Sequence, residues 1–357
     1  MIVLVILIGS ISPQNQANVT RRCKCGSKQA IMASINDKET GMHALFLRRA
    51  LLLSCITALL AACSPQPQNE QADQPLVYNC GALQVTTIVE NNALHLSFGD
   101  QSFELQPTTS ASGTRYVNAD HGAEFWRKDN EAQFSTDKLA LPLCVQQGTL
   151  PQQFNARGNE PFWLLKIDRQ SAQLRTPGDE ENFANVSRAT LNDAPPFTFE
   201  VTLDATRTLR LEEGVCYDSM SGQSFPYSAN FIQQDEQWSG CAGDPQRLLT
   251  GVSWKAGRAT DNDATLTFSP ESRISGYAGC NFFTGSYTIT GEGIEFSPLA
   301  VTKRMCPPEV MADEKRVLQQ LTQVSNFKVF ADGTLHLQLT NGEYLQFSRY
   351  PLDLLAN

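Results

Sequence analysis

From Leu76 onward the chain is written in short stretches where apolar and polar residues alternate. Leu83-Gln84-Val85-Thr86, Leu94-His95-Leu96-Ser97-Phe98 and Ser102-Phe103-Glu104-Leu105 carry the period of two that turns one face of a strand to a core and the other to water. Asn91-Asn92 and Gly99-Asp100 separate them as hairpin turns. Leu164 to Ile167, Phe197 to Leu203, Thr208 to Leu211 and Ala264 to Phe268 also read as strands. Helical spacing holds in one place: Glu309 to Val324 sets Val310, Val317, Leu318, Leu321 and Val324 on one face, after the start signal Pro307-Pro308. A last hairpin joins Leu335–Leu339 to Tyr344–Phe347 about Asn341-Gly342.

The pattern predicts a mainly β protein of small antiparallel barrel- or sandwich-like domains, the last of them α+β with one amphipathic helix. A chain of 357 residues is too long for one ordinary core. Three domains are expected, at 76–147, 148–245 and 246–350, with the polar break Gln146-Gln147-Gly148 between the first two. Gly276, Gly279 and Gly285 fit sharp bends at sheet corners in the third.

Ten cysteines change the picture. Cys23 and Cys25 lie upstream, Cys55 is inside an apolar run and Cys63 ends it. The other six are Cys80 and Cys144, Cys216 and Cys241, Cys280 and Cys306. An even number without a Cys-x-x-Cys clamp reads as disulfides in an oxidising compartment and not as a zinc site. Six cysteines allow about 15 connectivities; sequential pairing, one bridge per domain, is the expectation that the domain boundaries support.

Residues 42–63 have the order of a lipoprotein signal peptide: Arg48-Arg49, an apolar stretch from Ala50 to Leu60, then Leu60-Ala61-Ala62-Cys63. The run from Ala50 to Ala62 is shorter than the roughly 20 residues of a membrane span. The Cys63 thiol can take a diacylglyceryl group and its amine a further chain such as palmitate; two or more chains hold a protein in a bilayer, at about 0.8 kcal/mol per buried methylene. Asp after the cysteine would resemble the inner-membrane retention signal of bacterial lipoproteins; with Ser64 there, that resemblance implies onward transport to the outer membrane. Residues 1–41 fit no mature structure and read as a non-native extension, with Met42 as the start; 64–75 is a polar tether.

Beyond Cys63 the chain has 21 basic and 35 acidic residues, a net charge of −14. Such a body repels nucleic acid and attracts basic protein partners.

The first domain resembles the membrane-bound inhibitors of c-type lysozyme. The resemblance rests on Tyr78-Asn79-Cys80, Ala111-Ser112-Gly113-Thr114-Arg115-Tyr116, Phe125-Trp126-Arg127-Lys128, Glu131-Ala132 and the closing Cys144. It implies that a Ser-Gly-x-x-Tyr loop enters the lysozyme cleft and that a lysine after the aromatic pair meets the catalytic carboxylates. By motif position the contact residues are Ser112, Gly113, Tyr116 and Lys128. Four basic and eight acidic residues in this domain suit steering towards a cationic lysozyme with one local cation at the tip. Asp129 departs from the family, where glycine follows the lysine; it sets a negative charge beside Lys128.

In the second domain, Asn159-Glu160-Pro161-Phe162-Trp163 and Cys216-Tyr217-Asp218-Ser219-Met220-Ser221-Gly222 resemble a group of uncharacterised bacterial envelope domains. Asn159, Glu160 and Asp218 are candidates to line a ligand site; the plainer reading is that Asn159 and Glu160 satisfy backbone donors at the turn before Pro161. In the third, Gly279-Cys280-Asn281-Phe282-Phe283-Thr284-Gly285-Ser286-Tyr287 followed by Thr302-Lys303-Arg304-Met305-Cys306 resembles the META domain, found also in a heat-shock-induced envelope lipoprotein. Asn281 and Thr302 then read as hydrogen-bonding core residues.

No catalytic centre is expected. The histidines of the body, His95, His121 and His336, are scattered, and there is no phosphate loop and no Gly-x-Ser-x-Gly elbow. Ser325-Asn326-Phe327-Lys328 satisfies Ser-x-x-Lys without its companion motifs. No cofactor or metal is expected. The function expected is that of a lysozyme-binding outer-membrane lipoprotein; the alternative is an envelope-stress or chaperone-like lipoprotein that inhibits nothing.

Overall fold

A computed structural model of the protein describes residues 74–138, 140–256, 264–350 and 352. They lie in one compact unit and form three antiparallel sheets and one α-helix. The expected extension, the signal peptide with Cys63, and the tether up to residue 73 lie outside the described residues. Among the described residues no helix is long and apolar enough to cross a membrane.

The first sheet is a closed barrel of β1 (Leu76–Cys80), β2 (Leu83–Glu90), β3 (Ala93–Phe98), β4 (Gln101–Thr108), β5 (Thr114–Asn118), β6 (Ala123–Lys128), β7 (Glu131–Ser135) and β8 (Cys144–Gln146). The alternation seen in the sequence sets its interior: Val85, Leu94, Leu96, Phe103, Leu105 and Phe125 are all buried. Asn91 and Asn92 both take positive φ, +50° and +65°, as a two-residue type I′ turn requires. β8 returns to β1 with Cys144 directly opposite Cys80, and the disulfide joins them across the closing seam.

The second sheet has nine strands: β9 (Gln153–Asn159), β10 (Phe162–Asp168), β11 (Ser171–Thr176), β12 (Asp179–Ala184), β13 (Ser187–Asn192), β14 (Thr198–Thr202), β15 (Arg207–Tyr217), β16 (Ser224–Gln233) and β17 (Glu236–Ala242). Their order is β12-β11-β10-β9-β17-β16-β15-β14-β13. Trp163, Leu165, Val201, Leu209 and Phe231 fill its core, with the Trp163 and Phe231 rings stacked. The Cys216–Cys241 bridge ties β15 to β17, the two neighbours of β16.

The third sheet comprises β18 (Ser253–Ala256), β19 (Thr265–Phe268), β20 (Arg273–Tyr277), β21 (Phe282–Ile289), β22 (Ile294–Phe296), β23 (Ala300–Val301), β24 (Val324–Val329), β25 (Leu335–Leu339) and β26 (Tyr344–Tyr350). The order is β22-β21-β20-β19-β18-β26-β25-β24, with β23 on β21. The helix Pro308–Leu321 follows the Cys280–Cys306 bridge. It ends three residues short of the expected Val324, where the Gln323 N–H turns to the Gln320 carbonyl and Val324 enters the ladder opposite Leu339. Val324 opens β24 and is buried there, so apolar spacing runs on past the break. Of the three glycines expected at bends, only Gly279 has positive φ; Gly276 and Gly285 lie within β20 and β21.

The three sheets hold one another. The Ala82 N–H donates to the Thr250 carbonyl at 2.8 Å, and Ala82 and Leu83 pack on the third core. The Ser224 hydroxyl accepts from the Val329 N–H at 2.9 Å, and Asn326 Nδ2 donates to the Ser221 carbonyl at 2.6 Å. Leu352 packs in the core of the first barrel, where Gln101 Nε2 donates to its carbonyl.

Candidate functional site

The β4–β5 connection and the end of β6 meet at one end of the barrel. Thr114 pairs with Arg127 across β5 and β6, so the residues just before Thr114 lie beside Lys128. Gly113 has φ +68°, and a Cβ built there would come within 2.2 Å of the Arg127 carbonyl and 3.2 Å of Lys128 Cβ. Only glycine allows this approach. The Ser112 carbonyl accepts from Trp126 Nε1 at 2.9 Å and from the Ser110 hydroxyl at 2.6 Å, which fixes the loop against β6. Ser112, Gly113 and Lys128 are all exposed. Lys128 makes no ion pair among the described residues, including none with the adjacent Asp129.

Tyr116 does not join this cluster. It is 6% exposed, opposite Phe125 in the ladder, and its ring belongs to the barrel core. Alternation dictates this: Arg115 points outward to Glu124, and its successor Tyr116 turns inward. Beneath the loop, Arg115 grips Glu124 with two bonds of 2.7 Å, and the Glu124 carboxylate raises the Arg115 pKa. Asp129 stands in the left-handed region, φ +54°, at the turn of the β6–β7 hairpin. On the far side of that turn, Asn130 Nδ2 donates to the Leu150 carbonyl at 2.7 Å and Glu131 Oε1 accepts from the Gln152 N–H at 2.7 Å. The hairpin carrying Lys128 is thus pinned to the start of the second unit.

The two motifs of the second unit converge. Asn159 Nδ2 donates to Asp218 Oδ2 and Ser219 Oγ, both at 3.0 Å, so it bonds to a loop 59 residues away and not to its own turn. Asp218 Oδ1 accepts from the Met220 and Ser221 N–H groups at 3.0 and 2.8 Å. Burial presses the Asp218 pKa upward, but the bonds from Ser221, Asn159 and Met220 outweigh it and leave it lowered. Four donors occupy the carboxyl group, Ser221 Oγ being the fourth. Glu160 is exposed at the same turn.

In the third unit Asn281 is 3% exposed and fully engaged. Its Oδ1 accepts from the Thr302 hydroxyl at 2.9 Å and the Arg304 N–H at 2.6 Å, while Glu314 on the helix takes the Asn281 N–H and Nδ2. Glu314 is the member that sequence reasoning missed.

Two segments of the chain match family models: residues 248–351 that of the META domain, and residues 78–140 that of the membrane-bound lysozyme-inhibitor of c-type lysozyme. No curated protein matches. Among solved structures, the NMR structure of a protein from Burkholderia xenovorans is 27% identical over 29% of this chain and 86% of that one, with a TM-score of 0.26.

Proposed function

We propose that this chain, which carries a c-type lysozyme inhibitor domain at 78–140 and a META domain at 248–351, is an envelope lipoprotein that binds and blocks c-type lysozyme. The observation that carries the reading is the juxtaposition of the exposed Ser112-Gly113 loop with Lys128 at one end of the barrel. A lysozyme cleft holds two carboxylates, one of them ionised at neutral pH. An ammonium presented without a carboxylate of its own can pair with that charge, and the narrow glycine loop beside it can follow it into the cleft. The acidic body supplies long-range attraction to a cationic enzyme. Tyr116 supports the loop from within the barrel and is not a contact.

The reading extends to the membrane. Cys63 bears the acyl chains, the polar tether follows, and the three β units face the periplasm from the outer membrane. In this account the protein works as a binding module, without catalysis, cofactor or nucleic acid.

A turbidity assay with c-type lysozyme and a cell-wall suspension tests it. The protein should slow clearing, and Lys128→Ala should weaken inhibition by about 10- to 100-fold, roughly 1.4 to 3 kcal/mol. Full lysozyme activity at micromolar excess of protein would sink the proposal and leave the non-inhibitory envelope-stress reading, which the Asp129 charge beside Lys128 favours.

A further inference from the structure

A cleft of about 430 Å³ lies where the second unit meets the third. Arg157, Gln223 and Gly243 line one side, and Tyr287, Thr290 and Gly291 the other. The size is within the range of small-molecule sites, about 300 to 1,000 Å³. Its walls are firmly built: the Tyr287 hydroxyl donates to the Ser269 carbonyl at 2.9 Å and accepts from Gln246 Nε2 at 2.6 Å.

Two lining residues have chemistry that the fold does not use. Gln223 is 0% exposed, yet neither its Nε2 nor its Oε1 has a hydrogen-bond partner among the described residues. An amide buried in this way costs roughly 1 to 3 kcal/mol, a cost that a ligand amide would remove. Arg157 has its guanidinium over the Phe225 ring, 5.0 Å from the centroid, and among the described residues neither a carboxylate nor a carbonyl binds it. Stacking on a ring leaves the edge of a guanidinium free, and that edge matches a carboxylate with two parallel N–H bonds. Gly291 keeps this side open: the nearest atom to a Cβ built there is Arg157 Nη1, at 4.0 Å.

The two functions call for different groups in one ligand. A planar cation wants a carboxylate. A primary amide, both donor and acceptor, is complementary to a peptide group. Inorganic phosphate would satisfy Arg157 and leave Gln223 unpaired. Asp244 also lines the cleft, with Oδ1 held by the Gln246 N–H at 2.9 Å, so the site favours one anionic end and not a polyanion. The geometry points to a binding site for a short peptide with a free carboxyl terminus in the cleft between the second and third units, its carboxylate on Arg157 and a peptide amide on Gln223.

The test is a titration of the full chain, isotope-labelled, with N-acetyl-alanyl-alanine up to about 10 mM, the range that detects millimolar binding. Its carboxamide and sodium acetate serve as control probes. Saturable shifts of the Gln223 side-chain amide and of Arg157 Nε with the free acid, and much weaker ones with the carboxamide, are expected. Arg157→Gln should reduce affinity at least about tenfold, the worth of a charged pair. Gly291→Trp should abolish the shifts while leaving the unfolding temperature in place, which separates blocking from misfolding. Absence of saturation, equal response to the carboxamide, or binding untouched by both substitutions overturns the inference. Acetate shifting both groups as strongly would reduce the cleft to an adventitious anion site only.

Discussion

Arg247 Nη2 donates to the main-chain carbonyl of Asn79 at 2.7 Å, across 168 residues of sequence. Its Nη1 does the same to Leu143 at 2.7 Å. Asn79 and Leu143 each precede a cysteine of the Cys80–Cys144 bridge, so one guanidinium from the entry to the third sheet clamps both strands of the barrel seam. Asn79 Nδ2 in turn reaches Glu213 of the second sheet at 3.3 Å.

Replacing Arg247 with Met keeps much of the apolar stem and removes both bonds. Hydrogen bonds from a charged donor are worth about 1.5 to 3 kcal/mol when buried, and this pair is partly exposed. A loss of about 2 kcal/mol in denaturant unfolding is expected. An unchanged midpoint would show that the clamp contributes nothing.

Glu213 gives a pH signature to the same junction. Burial raises its pKa above 4.5, and the nearby Arg247 charge opposes this only in part. The folded protein therefore holds the Glu213 proton more tightly than the unfolded chain does. That contribution is fully present below pH 4.5 and fades as pH rises through the raised native value. Carboxyl NMR titration should find the raised value, and Arg247→Met should raise it further.

Asp129→Gly separates strain from charge at the hairpin tip. Relief of the left-handed backbone is worth about 1 kcal/mol, and the greater freedom of glycine in the unfolded chain takes back about 0.5 to 1 kcal/mol. Stability should therefore change by less than about 0.5 kcal/mol. Removing the negative charge next to Lys128 should tighten lysozyme binding several-fold at low salt, with the gain lost at high salt. A gain that persists at high salt would refute the electrostatic account.

The three bridges should differ in worth by the loops they close. Loop entropy gives about 4 kcal/mol for a bridge spanning 64 residues and about 3.5 kcal/mol for those spanning 25 and 26. Double Cys→Ala variants, one bridge at a time, should rank in that order in chemical unfolding. The barrel variant should lose most.

The barrel was readable because its strands have one wet face, and Val85, Leu94 and Leu96 alternate with polar neighbours. Pairing of the cysteines followed from their order because each bridge closes within the stretch of chain that builds one sheet. The strands β12 and β13 escaped notice since edge strands with most side chains in water carry little period-two signal. Glu314 was hidden for the opposite reason: in Asp313-Glu314-Lys315-Arg316 it reads as one more charge on a solvated helix face, and only the fold shows that it caps Asn281. Tyr116 shared a motif with exposed residues, and a motif does not say which of its members turn inward. Arg247 and Leu352 act across sequence distances over which no local pattern extends.

Leu352 also bears on the order in which the molecule can be made. Its side chain completes a barrel whose own strands end at Gln146, and the carbonyl it offers to Gln101 lies 251 residues further along the chain. A nascent first barrel leaving a ribosome or a translocation pore therefore lacks one of its interior groups until nearly everything else has emerged. A chain cut after Tyr350 would place the defect at the other end of the sequence, as a loosened barrel that proteases find first.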